Sequence, residues 1–211
     1  MNVSRRRYMG EKGGSIPYQR IEYLESNPSK KINNEYHVGQ VINLYTPTSE
    51  DEVIVVFSPL DTVLNAFFGA RSSDGLLRFC CTTFSSGSQT AFAMTYNTWP
   101  ANRVSVVIGN TYTMSAKNGS YSINGVEYTS TSIQSSYTFS PFLMFCCNNS
   151  SGLQIYSKMR CYSVVVRRSG NVIHDFIPVR IGTTGYMYDT ISGELFGNAG
   201  TGDFTLGPDI N

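Results

Sequence analysis

Few residues of this chain are placed to do chemistry together. Cleavage of a glycosidic bond needs two carboxyl groups facing one way, roughly 5–10 Å apart, one as acid and one as base or nucleophile. The densest acidic group is Glu50-Asp51-Glu52, behind Pro47-Thr48-Ser49, and it reads as a solvated strand start rather than a catalytic pair. Glu22 and Glu25 are three positions apart, which puts them on opposite faces of a strand. The histidines are His37 and His174. His174 and Asp175 are neighbours, so on a strand they diverge instead of forming a dyad, and no Gly-x-Ser-x-Gly elbow accompanies them. Neither histidine sits in an H-E-x-x-H spacing. No catalytic residue and no metal site is expected.

The cysteines are Cys80, Cys81, Cys146, Cys147 and Cys161. Adjacent residues on a strand point to opposite faces, so each pair offers one inward thiol at most. Neither pair has the C-x-x-C spacing of a zinc site, and the odd count does not fit a secreted disulfide framework. Buried, reduced thiols are expected, with a bridge of the Cys81–Cys146 kind as the alternative.

Binding calls for different residues. A glycan site needs an exposed aromatic platform with polar or cationic neighbours, and Trp99, Tyr96 and Arg71 are the residues that fit. A core position for the lone tryptophan is the competing reading. At the start of the chain, Arg5, Arg6, Arg7 and Lys12 stand against Glu11 alone, although the net charge of the whole is only +1. Residues 1–17 therefore form a basic arm ahead of a slightly acidic domain, 18–211. Arg5, Arg6 and Arg7 could pair carboxylates on a neighbouring subunit while Tyr8 fills a pocket; a solvated leader is the alternative. No apolar segment follows the arginines as an export signal requires. No run approaches the roughly 18 apolar residues of a membrane span.

The elements that must hold these residues are strands. Only 15% of the 211 residues are charged, and Ser, Thr, Gly, Asn and Tyr are abundant. That mix suits many short strands with polar turns. Val53 to Phe57 is a continuous apolar run, consistent with burial on both faces. Ala66 to Arg71 and Leu76 to Phe84 flank Asp74-Gly75, a hairpin signal. Gly109-Asn110, Asn118-Gly119, Asn124-Gly125 and Ser169-Gly170 mark further hairpins. A strand from Met159 to Arg167 leads through the last of these turns to Val172–Ile177, which Pro178 ends. About a dozen strands and no credible helix predict one all-β domain of two packed antiparallel sheets.

Three stretches carry a resemblance. They are Tyr18-Gln19-Arg20-Ile21-Glu22-Tyr23-Leu24-Glu25-Ser26 at the start, then His174-Asp175-Phe176-Ile177-Pro178 with Gly185-Tyr186-Met187-Tyr188-Asp189, and finally Asn198-Ala199-Gly200-Thr201-Gly202-Asp203-Phe204-Thr205. In these the chain, from Tyr18 to Pro208, resembles a family of concanavalin A-like (laminin G-like) jelly-roll proteins encoded by gut bacteria and their phages. The resemblance implies a two-sheet antiparallel jelly-roll sandwich behind an extended N-terminal arm. It implies a non-enzymatic virion component that decorates a capsid or belongs to a head fibre or tail, assembled in the host cytoplasm. Its partners would be other virion subunits or its own copies in an oligomer, with weak contacts to host surface glycans. Neither nucleic acid nor a membrane is an expected partner. The alternative is a bacterial carbohydrate-binding or adhesion module, followed by a glycoside hydrolase with an unfamiliar carboxylate pair. No cofactor is expected. Lectin-like sandwiches often hold calcium through loop carboxylates, for which Asp74, Asp189 and Asp203 are the residues available, without a DxDxDG-like loop to frame them.

Overall fold

A computed structural model describes residues 16–211, apart from 34, 62–65, 73–76, 84–88, 97–103, 106, 130–138 and 149–153. Every regular element among the described residues is a strand, and every strand pairing is antiparallel. In the largest sheet the strands Val126–Thr129, Ser120–Ile123, Tyr112–Lys117, Asp51–Pro59, Met159–Arg168, Asn171–Ile181, Thr184–Asp189 and Leu195–Phe196 lie side by side in that order. A second sheet orders Val104–Ser105, Gln89–Tyr96, Leu77–Thr83, Ala66–Arg71, Leu143–Met144 and Ile42–Asn43. A smaller sheet is built from Cys146–Asn148, Gln154–Tyr156, Glu35–Val38 and Ser29–Ile32.

Alternation along the central strands of the large sheet decides what faces inward. In Asp51–Pro59 the side chains of Asp51, Val53, Val55 and Phe57 are fully buried, and between them Glu52, Ile54 and Val56 are partly exposed. Val164 and Val166 continue that inner face on the neighbouring strand, followed by Phe176 and Met187 on the next two. Phe57 meets Phe67 and Phe68 of the second sheet, with ring centroids 5.2 and 5.1 Å apart. The two sheets thus close over one core, in a sandwich-like arrangement.

Turn chemistry accounts for the pairing. Asn124-Gly125 and Ser169-Gly170 both hold positive φ at the two central positions, 50° and 83° and then 50° and 82°. That is the two-residue turn whose twist matches the strands it joins. Two expectations need correction. The strand before Gly109-Asn110 does not form a hairpin with the one after it. Val104–Ser105 pairs with Gln89–Tyr96 in the second sheet, and Tyr112–Lys117 pairs with Asp51–Pro59 in the first. The turn therefore carries the chain from one sheet to the other. Pro178 likewise does not end its strand, which runs to Ile181. On one side of it the Met159–Arg168 strand has already left, at Phe176, and Gln19–Arg20 takes over at Val179. A missing N–H at that gap removes no ladder bond from either neighbour.

The glycine-rich stretch after the last hairpin acts as a clasp. Asn198 Oδ1 accepts from the Val41 and Gly200 N–H groups at 3.0 and 2.9 Å, and the Ala199 and Thr201 N–H groups donate to the Val41 and Gly39 carbonyls. Gln40 Nε2 donates to the Asp203 carbonyl at 3.0 Å.

Candidate functional site

Four adjacent strands of the large sheet bring their polar residues to the same end and the same inner face. These are Asp51 at the start of Asp51–Pro59, Arg168 at the end of Met159–Arg168, His174 near the start of Asn171–Ile181, and Asp189 at the end of Thr184–Asp189. The Asp51 side chain is 0% exposed and takes Arg168 in a two-pronged pair, Nε to Oδ1 at 2.7 Å and Nη2 to Oδ2 at 3.2 Å. It also accepts from the Thr48 N–H at 2.9 Å. The expected solvated strand start is therefore wrong for Asp51. It follows the inward alternation of Val53 and Val55, and the arginine makes its burial tolerable.

His174 and Asp175 do diverge. His174 instead pairs with Asp189, Nδ1 to Oδ2 at 2.8 Å, a partner two strand positions away that the neighbouring residues in sequence did not reveal. Asp189 is 0% exposed. Burial would push its carboxyl up. Hydrogen bonds from the Asp175 N–H, His174, the Ile191 N–H and the Ser192 side chain outweigh that and hold it below the ordinary carboxylate range. The ionised Asp189 fixes the tautomer, because Nδ1 carries the proton and Nε2 keeps its lone pair in the neutral ring. Asp175, on the opposite face, is pushed up by its own burial, against a hydrogen bond from Thr190.

Tyr45 packs beside His174 and close to the Asp51–Arg168 pair. Its ring lies against Phe142 at 6.0 Å and against His174 at 5.2 Å, and His174 stacks in turn on Phe176 at 5.3 Å. The aromatic column therefore links Phe142, just before the Leu143–Met144 strand of the second sheet, to His174 and Phe176 of the first. The Tyr45 hydroxyl is buried with no hydrogen-bond partner among the described residues. Burial and the nearby Asp51 carboxylate push it well above the usual phenol range, with Arg168 pulling the other way.

A depressed carboxylate pKa has a definite sign in stability. Asp189 stabilises the fold fully above the unfolded value of about 3.9, and the contribution is lost as pH falls through the lower folded value. Asp189→Asn should therefore cost most near neutrality, and its deficit relative to the native chain should shrink in urea titrations taken progressively below about pH 4. A deficit that stays constant down to low pH would show that the carboxylate charge is not what matters.

The residues expected to bind glycan are not all described. Arg71 is half-buried and close to Cys147. Tyr96 ends a strand opposite Leu77, while its side chain, like Trp99, lies outside the described residues. Arg5, Arg6, Arg7 and Tyr8 also fall outside them. Of the calcium set, Asp74 is not described, Asp189 is committed to His174, and Asp203 is exposed. Among the described residues no three of His, Cys, Asp and Glu gather as a metal site, and no helix is long and apolar enough to cross a membrane.

All five cysteines are buried as free thiols. The facing pair is Cys80 with Cys147, not Cys81 with Cys146. Cys147 is pushed up by a hydrogen bond with Cys80 and by burial, whereas Cys81 lies against Met114 with the sulfurs 3.5 Å apart. Burial also raises Cys81, Cys146 and Cys161, which starves each of the reactive thiolate. Ellman's reagent should leave the native protein nearly unmodified and titrate all five thiols at once in denaturant. Fast labelling of one thiol under native conditions would place that strand at the surface.

No family model matches the chain, and no curated protein or solved structure does either.

Proposed function

We propose that this chain is a non-enzymatic binding and assembly module, a concanavalin A-like jelly roll serving as a structural component of a phage particle. Its basic arm, residues 1–17, docks on a neighbouring subunit, and the domain presents its open faces outward. The observation that carries the non-catalytic part is the use made of the inner-face carboxylates. Asp51 is locked by Arg168 and Asp189 by His174 and backbone N–H groups. Asp189, held ionised, is a poor general acid. The two lie three strands apart, about 14 Å at ~4.8 Å per strand, wider than the roughly 5–10 Å a glycosidase uses. The placement in a virion rests on the resemblance from Tyr18 to Pro208.

Light scattering on the full chain and on a form lacking residues 1–17 tests the assembly role. A defined oligomer that falls to monomer on deletion, with the sandwich still folded, supports it. Monomers in both cases, or an oligomer indifferent to the arm, would remove the arm as an assembly device.

A further inference from the structure

We propose that Cys80 and Cys147 form a redox lock, a buried pair of thiols in contact that closes to a disulfide under oxidation and ties the small sheet to the second sheet. When the lock closes in the life of the chain rests on reading it as part of a particle that leaves a reducing cytoplasm. The bridge itself does not depend on that reading.

The pairing follows from alternation. Phe79 and Cys81 belong to the main core, so Cys80, between them on the Leu77–Thr83 strand, faces the other side of the second sheet. There it is buried in a separate cluster with Ala66 and with Cys147 of the small sheet, and Ile155 packs against all three. Gly69 is the partner of Cys80 on the neighbouring strand, and a Cβ added at Gly69 would collide with the Cys80 Cβ. The missing side chain therefore leaves room for the Cys80 thiol. Cys80 and Cys147 are hydrogen-bonded to each other. A disulfide brings its sulfurs to about 2.0 Å, a short step from that contact. The other three cysteines are placed differently. Cys81 lies against the Met114 sulfur, Cys146 packs with Val41, Leu143 and Tyr156, and Cys161 sits in the main core on the large sheet.

Hydrogen peroxide is an oxidant small enough to reach a pair this deeply buried. The hydrogen bond with Cys80 and burial hold the Cys147 thiol up, while the Arg71 guanidinium pulls it the other way and favours Cys147 as the attacking thiolate. That thiolate attacks one peroxide oxygen and the O–O bond breaks. The departing hydroxide takes up the proton that Cys147 gave up, leaving a sulfenic acid and one water. The Cys80 sulfur then displaces the sulfenic hydroxyl, which leaves with the Cys80 proton as a second water. Two electrons have passed from the sulfurs to peroxide, and one S–S bond has formed. With so little thiolate present the reaction is slow, which suits a lock and not a rapid sensor. A reducing cytoplasm keeps the pair open, and an oxidising exterior closes it. Because the two cysteines lie far apart in sequence, closure also restrains the unfolded chain.

The test uses the full chain, reduced, desalted and kept folded at neutral pH with millimolar hydrogen peroxide. It is then alkylated in denaturant and mapped by mass spectrometry, with fragmentation to tell Cys80 from Cys81 and Cys147 from Cys146. The expected product joins Cys80 to Cys147 and leaves three of the five thiols to alkylate. Adding dithiothreitol, which reopens the bridge but leaves methionine sulfoxide untouched, should lower the melting temperature by at least ~5 °C. Cys147→Ser should form no bridge and show no such drop, and if it does not fold, Cys80→Ala carries the same comparison. A different pair joined, Cys80 and Cys147 left as thiols or driven to sulfinic acid, or a bridge whose reduction leaves the melting temperature unchanged would overturn the lock. Should both variants fail to fold, the map of the native chain decides alone. None of these readings involves residues 1–17, so failure of the lock is distinct from failure of the assembly reading.

Discussion

Gly69→Ala should destabilise the protein by on the order of 3–5 kcal/mol, a large share of the ~5–15 kcal/mol that holds a domain of this kind together. Gly69 sits inside the second sheet, paired with Cys80 on one side and Leu143 on the other. Its φ of +146° is one that residues with a Cβ rarely adopt, and an added Cβ would stand 2.5 Å from the Phe79 carbonyl oxygen and closer still to the Cys80 backbone. Backbone cannot yield as a side-chain end can, so two strands must separate. Gly125→Ala is the control. Its φ of +83° is strained too, but nothing lies within 4 Å of the new carbon, and about 1 kcal/mol is expected. Urea unfolding of both variants measures the difference. Equal losses would mean that the close approach at Gly69 is not what constrains it.

Arg168→Met should cost about 2–3 kcal/mol, below the ~3–5 of a fully buried pair because the arginine is 39% exposed and water already reaches it. The cost comes from stranding Asp51, so adding Asp51→Asn should recover at least half of it. A double variant no better than the single one would show that the arginine acts by packing and not by charge. Both readings are separable in one set of denaturant curves.

The strands were more legible than the polar contacts between them. Ser169-Gly170 and Asn124-Gly125 announce their hairpins because only a few residue types accept two successive positive φ values. The apolar run around Val53 was readable for the same local reason, yet it suggested two covered faces where the structure buries one fully and the other in part. Gly109-Asn110 misled because a turn signal says that the chain reverses, not which sheet receives the next strand. That is decided by where Val104 and Tyr112 find partners, far away in sequence. The candidate site was less visible still. Asp51 looked like surface in its acidic triplet, and His174 was judged against Asp175 when its partner is Asp189, supplied by the register of a neighbouring strand. Alternation could have flagged Asp51, two positions before Val53 on the same face. Tyr45, between strands in an irregular stretch, carried no signal.

The stitching of the first described strands to the last has a consequence for how the chain is made. Leu24 pairs with Leu206, Ile21 bridges Asp209, and Gln19 Nε2 reaches the Ile210 carbonyl across 191 positions. On a ribosome these segments emerge well before their partners, which lie some 180 or more positions further along the chain. Until then Leu24 and its open strand edge are bare, available to any other nascent chain nearby. Contacts of such long range also make folding slow. Crowded, rapid expression should therefore favour aggregation over folding even though the finished domain leaves Leu24 wholly buried.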